Sequence, residues 1–263
     1  MAPVPKREDF PASLTLAITP PDTARSTNIL ILLHGIGDTL TPFANFASAL
    51  HLPETTCITI QAPKPVPFEL PGYHWGDDIV FEGDSLDSDP GFTTSTRLLV
   101  RDVITDTLID KLGYQGRQIL IFGYGQGASL ALSAALDFHR SDGRVTQVEE
   151  SAGASVRTKC ELGGVVAVGG VLPLSAIREQ GRRDNKCRTP AIILGGYGAE
   201  SAVSDVGTTR TKGKFEYVEV VRWRSKRGDT MPRNREEMLP IMQFFARRLR
   251  STSGVPDGSI EIS

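Results

Sequence analysis

The segment that most limits what this chain can fold into is an apolar run, Arg117-Gln118-Ile119-Leu120-Ile121-Phe122, that ends in Gly123-Tyr124-Gly125-Gln126-Gly127 and opens onto small, helix-compatible residues from Ala128. A run this short and hydrophobic reads as a strand buried on both faces, a setting that a parallel sheet covered by helices provides. Alternating glycines remove side-chain bulk where the chain reverses from strand into helix. A turn of this kind serves two chemistries. It can cradle a phosphate at a helix N-terminus, or it can hold a nucleophile on a sharp elbow of the pattern G-x-S-x-G.

Further apolar runs alternate with helical patterns: 12–18, 28–33, 56–61, 164–169, 190–194 and 215–223 read as strands, and 94–112 and 235–249 as helices. The helix over 94–112 ends on Gly113 as its C-cap, and the last helix is expected to pack Met238, Ile241, Met242, Phe245 and Leu249 against the sheet. The alternation predicts a three-layer α/β fold with a mostly parallel central sheet flanked by helices. A single domain is expected over 1–263, with its core at about 12–249, a polar insert at about 141–162 and a flexible tail at about 251–263. The polar stretches 180–189 and 200–214 read as surface loops.

The chain has 263 residues, 40% of them hydrophobic, and a net charge of −2. This balance argues against nucleic acid as a partner, and no segment approaches the roughly 18 apolar residues of a membrane span. The N-terminus lacks the apolar stretch of a signal peptide, so a cytoplasmic protein is expected, with nuclear entry open. Charge is uneven: residues 77–89 hold Asp77, Asp78, Glu82, Asp84, Asp87 and Asp89, whereas 222–250 hold nine Lys or Arg against three acids. Cys57, Cys160 and Cys187 show no metal-ligand spacing and read as structural. Neither a cofactor nor a metal is expected. His74 beside Asp77 and Asp78 is a weak ligand set.

A second segment decides between the two chemistries of the glycine turn. The strand at 28–33 runs into His34-Gly35-Ile36-Gly37-Asp38-Thr39, a turn that can aim a backbone N–H at a developing oxyanion. LLHGIGDT, then QAP, then a Trp-bearing loop, then FGYGQGASLAL, TPAIIL and a closing EEM helix together resemble the acyl-protein thioesterase and carboxylesterase branch of the α/β-hydrolases over roughly residues 28–249. The resemblance implies that Gly125 stands at the nucleophilic serine, that Ile36 and Gln126 supply the oxyanion-hole amides, and that Trp75 and Tyr124 line a groove. It places Ala199, with Glu200 next to it, at the triad acid and Met231 at the histidine.

Those three catalytic positions are therefore degenerate, and the histidine count agrees. The four histidines are His34, His51, His74 and His139, and none follows residue 139, although the triad order puts histidine last. His139 lies about 20 Å along the helix that starts after the elbow. Ser129 in that helix lacks a base, and His34 reads as a brace for its loop. The function expected is a non-catalytic protein that binds an acyl or lipid-like ligand or regulates a partner. The alternatives are an active ester or thioester hydrolase with another nucleophile, and a scaffold whose partner is a protein.

Overall fold

The computed structural model describes residues 2–23, 25–79, 81–82, 85–86, 89–141, 161–178 and 185–251. Seven strands form one sheet: β1 Leu16–Thr19, β2 Asn28–Leu33, β3 Thr55–Ile60, β4 Ile119–Tyr124, β5 Gly164–Val168, β6 Ala191–Gly196 and β7 Val218–Trp223. Their spatial order is β1-β3-β2-β4-β5-β6-β7. Only β1 is antiparallel, with Leu16 opposite Ile60 on β3; the other ladders are parallel.

Because successive strand residues face opposite sides, each central strand feeds two cores. Ile29, Ile31, Leu33, Ile119 and Ile121 join one hydrophobic cluster; Leu30, Leu32, Leu120 and Phe122 join the other. The first is covered by α2 Thr93–Arg97, its more widely wound continuation Leu98–Lys111, and α3 Gln126–Ser141. The second is covered by α1 Leu40–Ala49 and α6 Arg235–Arg248. A short α4, Ser175–Arg178, follows β5. This is the three-layer α/β-hydrolase architecture expected from the alternation of runs.

Gly113 closes the second helix at φ +79, donating to the Ile109 carbonyl at 2.9 Å. One segment differs from the sequence reading: within the supposed loop 200–214 lies a helix, α5 Asp205–Lys214. Its sequence, DVGTTRTKGK, has no apolar stripe, because the buried positions are Gly207, Thr208 and Thr211. Ser204 caps it by accepting from Gly207 N at 3.1 Å, and the Thr211 hydroxyl accepts from Leu172 N at 3.2 Å. Tertiary contact at small polar residues, rather than hydrophobic period, holds this helix. In α6, Met242 turns outward at 37% exposure and Phe244 takes the inward place. The expected insert falls largely outside the described residues, since 142–160 are among those not described, but Glu161 and Leu162 at its end are buried. The tail 252–263 also lies outside them, as does Cys160.

The loop between β7 and α6 is fixed by a buried ion pair. Lys226 Nζ stands 2.7 Å from Glu237 Oε2, with side-chain exposures of 9% and 5%. Lys226 also donates to the Thr230 and Met231 carbonyls and lies 4.4 Å from the Trp223 ring centre. Glu237 accepts from Ser225 Oγ and from Arg233 N. Burial alone would raise the Glu237 carboxyl, but the Lys226 ammonium, the Arg233 amide and the Ser225 hydroxyl outweigh it and bring it down to about 2. Removing one member of a buried pair strands the other charge, so Glu237→Ala should destabilise the fold by about 3–5 kcal/mol. The folded value lies below the ordinary 4.5, so the stabilisation is complete above that pH and is lost as pH falls toward about 2. Urea midpoints measured from about pH 6 down to about pH 3 should drop more steeply for the native chain than for Glu237→Gln. Parallel curves would locate the stabilisation elsewhere.

Candidate active site

The strand-to-helix turn is an elbow with Gly125 at its apex. Gly125 has φ +55, a left-handed conformation costly for any residue with a Cβ. Its amide donates to the Val168 carbonyl at 2.9 Å, which ties the apex to the end of β5. Its carbonyl accepts from Ala128 N and Ser129 N in the first turn of α3. The three glycines of the elbow are needed for different reasons. A Cβ at Gly123 would stand 2.2 Å from the Gly127 carbonyl oxygen, and one at Gly127 would stand 2.4 Å from the Leu33 carbonyl oxygen. At Gly125 the nearest atom within 4 Å would be Gly35 Cα at 3.7 Å, an ordinary contact. The apex therefore has room for a side chain, and only its backbone angle resists one.

Facing the elbow is the turn after β2. His34 is its hub and is fully buried. Nε2 of its ring lies 3.0 Å from Ala62 N, and Nδ1 lies 2.7 Å from the Gly35 carbonyl oxygen. A backbone N–H can only donate, so Nε2 accepts and the proton resides on Nδ1, which donates to Gly35. Burial pushes the His34 pKa down, against the smaller upward pulls of the Gly35 carbonyl and Asp38. His34 is thus a neutral brace. Its own carbonyl accepts from Trp75 Nε1 at 2.8 Å.

Trp75 is 1% exposed and lies beneath this turn, packed against the His34 ring with centroids 5.3 Å apart. Its amide donates to Gln126 Oε1 at 3.0 Å, so the first residue of α3 is tied to the Trp75 loop. Tyr124 is half-buried, and its hydroxyl donates to the Asp229 carbonyl at 3.0 Å. Ile36 and Gln126 are also half-buried, on the two sides of the elbow. The structure thus brings Ile36, Trp75, Tyr124, Gly125 and Gln126 together at the C-terminal ends of β2 and β4.

Ala199 is exposed in the turn after β6, with Glu200 exposed beside it. Met231 packs against the cluster under α1 and α6. The residue that crosses to the ends of the central strands is Asp229. Its Oδ1 accepts from Gly196 N and Ser201 Oγ, both at 2.8 Å, and Oδ2 accepts from Ala202 N at 2.7 Å. A Cβ at Gly169, just past β5, would meet Asp229 Cβ at 2.7 Å, so glycine there makes the approach feasible. The resemblance singles out Met231 in this loop and not Asp229. The one local signal was Gly228-Asp229 interrupting a run of cations.

Other candidates disperse. Asp77 accepts from Thr93 N and Thr94 N and so starts α2, Asp78 accepts from Ile79 N, and His74 is buried with Nδ1 unpaired among the described residues. No three metal-binding side chains cluster among the described residues. Burial pushes the Cys57 thiol up to about 12 and that of Cys187, which lies in the core rather than in an open loop, to about 11. Ser129 is buried within α3, and its carbonyl accepts from Ser133 Oγ.

Residues 15–149 match the family model described as Phospholipase/Carboxylesterase, just over half of the chain. The chain belongs to the phospholipase/carboxylesterase family. Among curated relatives, an uncharacterized hydrolase of Schizosaccharomyces pombe is 28% identical over 227 residues, covering 84% of this chain and 83% of the relative. Another, from Mycosarcoma maydis, is 38% identical over 125 residues, 46% of this chain and 47% of that protein. Among solved structures, Zea mays acyl-protein thioesterase 2 superposes with a TM-score of 0.61 at 19% identity, covering 90% of this chain and 99% of that one. Bacillus cereus carboxylesterase gives 0.60 at 15%, with coverages of 90% and 96%. At these identities the likeness is one of fold. Among the described residues no helix is long and apolar enough to cross a membrane.

The different roles of the glycines in this family member lead to a measurable ordering. Gly125→Ala should lower stability by about 1–2 kcal/mol, the penalty of a left-handed L-residue. Gly123→Ala and Gly127→Ala must displace backbone and should be much worse. Equal losses by chemical denaturation at all three sites would show that the apex is not open.

Proposed function

We propose that this chain is a non-catalytic member of the phospholipase/carboxylesterase family that binds an acyl or lipid-like ligand or regulates a partner. The observation that carries the reading is the elbow: its apex is a glycine, held at the angle and with the space that a nucleophile-bearing residue needs. Ester hydrolysis on this fold requires a hydroxyl at that apex and an imidazole to take its proton. The only histidines are His34, His51, His74 and His139. His34 is committed to Ala62 and Gly35.

Two refinements of the degenerate triad follow from the geometry. The contacts support position 229 over 231 as the place of a base, because Asp229 approaches Gly169 at the end of β5 whereas Met231, half-buried, packs against the cluster under α1 and α6. Position 199 is an open turn, and the donors that an acid there would compete for already hold Asp229. In a comparable serine hydrolase, loss of the nucleophile alone lowers turnover about 10⁶-fold. Ile36 and Gln126 stand half-buried beside the elbow, which supports the reading that their amides serve as a ligand contact.

Two measurements test this reading. Fluorophosphonate labelling of the purified protein, beside an active esterase, should leave it unlabelled; a labelled serine would establish the alternative of an active ester or thioester hydrolase. Gly125→Ser should remain inert on p-nitrophenyl butyrate, since Asp229 is already bound by three donors. Turnover should first appear when Asp229→His is added and rise with Ala199→Asp, while Gly125→Ser with Met231→His should stay inactive. Turnover from that last pair would restore position 231. For the ligand, fatty acids at about 100 times their dissociation constant should stabilise the protein by about 2.7 kcal/mol. Absence of any thermal shift across chain lengths would favour the protein-scaffold alternative.

A further inference from the structure

The basic segment 222–250 divides into two groups once the fold is known. Arg222 pairs with Asp205, Lys226 with Glu237 and Arg247 with Glu219, while Arg248 donates to the Gly163 carbonyl. Arg224, Arg227, Arg233 and Arg235 are all exposed on the β7–α6 loop and the first turn of α6. Among the described residues none of the four has an acidic partner; Arg227 has a single side-chain hydrogen bond, to the Tyr197 hydroxyl at 3.4 Å. Arg233 and Arg235 flank the helix N-cap, Asn234, where the backbone dipole is already positive and a cation is unfavourable by a few tenths to about 1 kcal/mol. Of the local acids, Glu237 is consumed by Lys226 and Asp229 by the Gly196 and Ala202 amides, which leaves Glu236 and Glu200, whose side chain lies against Gly228, for the four arginines.

An apolar ridge continues from the arginines. At about 100° per residue, Arg235, Leu239, Met242 and Ala246 fall within about 60° of one another on α6, opposite the buried Ile241, Phe244 and Phe245. Leu239 is 49% exposed and Met242 37%, and Tyr197 beside Arg227 is 57% exposed. Scattered apolar residues need no explanation. Leu239, Met242 and Ala246 stand at the i, i+3, i+7 spacing with which a helix presents anchors, and Arg235, four residues before Leu239, begins the cationic end. The ridge spans about 16 Å, three helical turns.

We propose that this face docks an acidic segment of a partner protein, its carboxylates on Arg224, Arg227, Arg233 and Arg235 and its apolar side chains on Leu239 and Met242. The whole chain carries a net charge of −2, so the attraction is local to this face. Arginine forks bind carboxylates bidentately, and a mixed apolar and cationic surface selects a segment carrying both features over a simple polyanion. The face borders the site, because Asp229 lies on the same loop and the charge of Arg233 reaches Tyr124, but it does not include Gly125 or the amides proposed to hold a ligand.

The probe is a fluorescein-labelled 16-residue helical peptide with leucines at i, i+4 and i+7 and glutamates beside them, measured by anisotropy against the full chain. A control peptide has lysine in place of each glutamate. Saturable binding of the acidic peptide is expected, at least tenfold tighter than the lysine control and weakened about tenfold by salt well above physiological strength. Arg233→Glu/Arg235→Glu and Leu239→Ser/Met242→Ser should each weaken it at least tenfold with the fold retained by circular dichroism, although the first pair relieves cations at the N-cap and raises the thermal midpoint while the second loses apolar burial and lowers it. No saturable binding, or equal binding of the control, overturns the proposal. Heparin or phosphatidylserine vesicles competing as well as unlabelled peptide would mark a general polyanion surface and overturn it too. Self-association abolished by Arg233→Glu/Arg235→Glu would assign the face to a second copy instead. None of these outcomes bears on fluorophosphonate labelling or fatty-acid stabilisation, so the two readings fail separately.

Discussion

Everything at the C-terminal edge of this sheet depends on one close approach of backbones. Residue 127 sits so near the end of β2 that a Cβ there would be 2.4 Å from the Leu33 carbonyl oxygen. Because both Gly123 and Gly127 lack side chains, α3 can begin immediately above β4 and beside the turn that follows β2. That juxtaposition sets Leu33 at the end of β2, and His34 and Gly35 of the turn after it, against Gly125 and Gly127 of the elbow. It also lets Gly125 N reach Val168 at the end of β5, so three strands share one junction. An interior packed at crystal-like density has no slack to absorb an added methyl at such a crossing.

Around that junction the loops are held by buried polar groups whose hydrogen bonds are satisfied. His34 joins the turn after β2 to Ala62 and to Trp75. Asp229 gathers the amides that follow β6, and Glu237 with Lys226 pins the segment carrying Asp229. Each group would be costly to bury alone, and each has its partners, which is the condition under which such networks rigidify a structure.

Much of the fold was legible from the residues because parallel strands buried on both faces write themselves as unbroken apolar runs. NILILL and ILIFGY became β2 and β4 within a residue or two. The elbow was legible because its steric demands leave glycine little substitute. What escaped was structure held by contacts that leave no period. Helix α5 buries threonines and a glycine, and Asp229 works through amides of residues 196 and 202, whose distance in the chain gives no local pattern. Trp75, which the resemblance sets in a groove lining, is 1% exposed, and its indole N–H donates to the buried His34 carbonyl.

The tautomer of His34 has a consequence for how the molecule responds to its surroundings. An imidazole whose Nε2 already accepts a backbone proton can take up another only by surrendering Ala62 and ionising inside the core. The turn it braces therefore resists acid more than one held by a surface imidazole would.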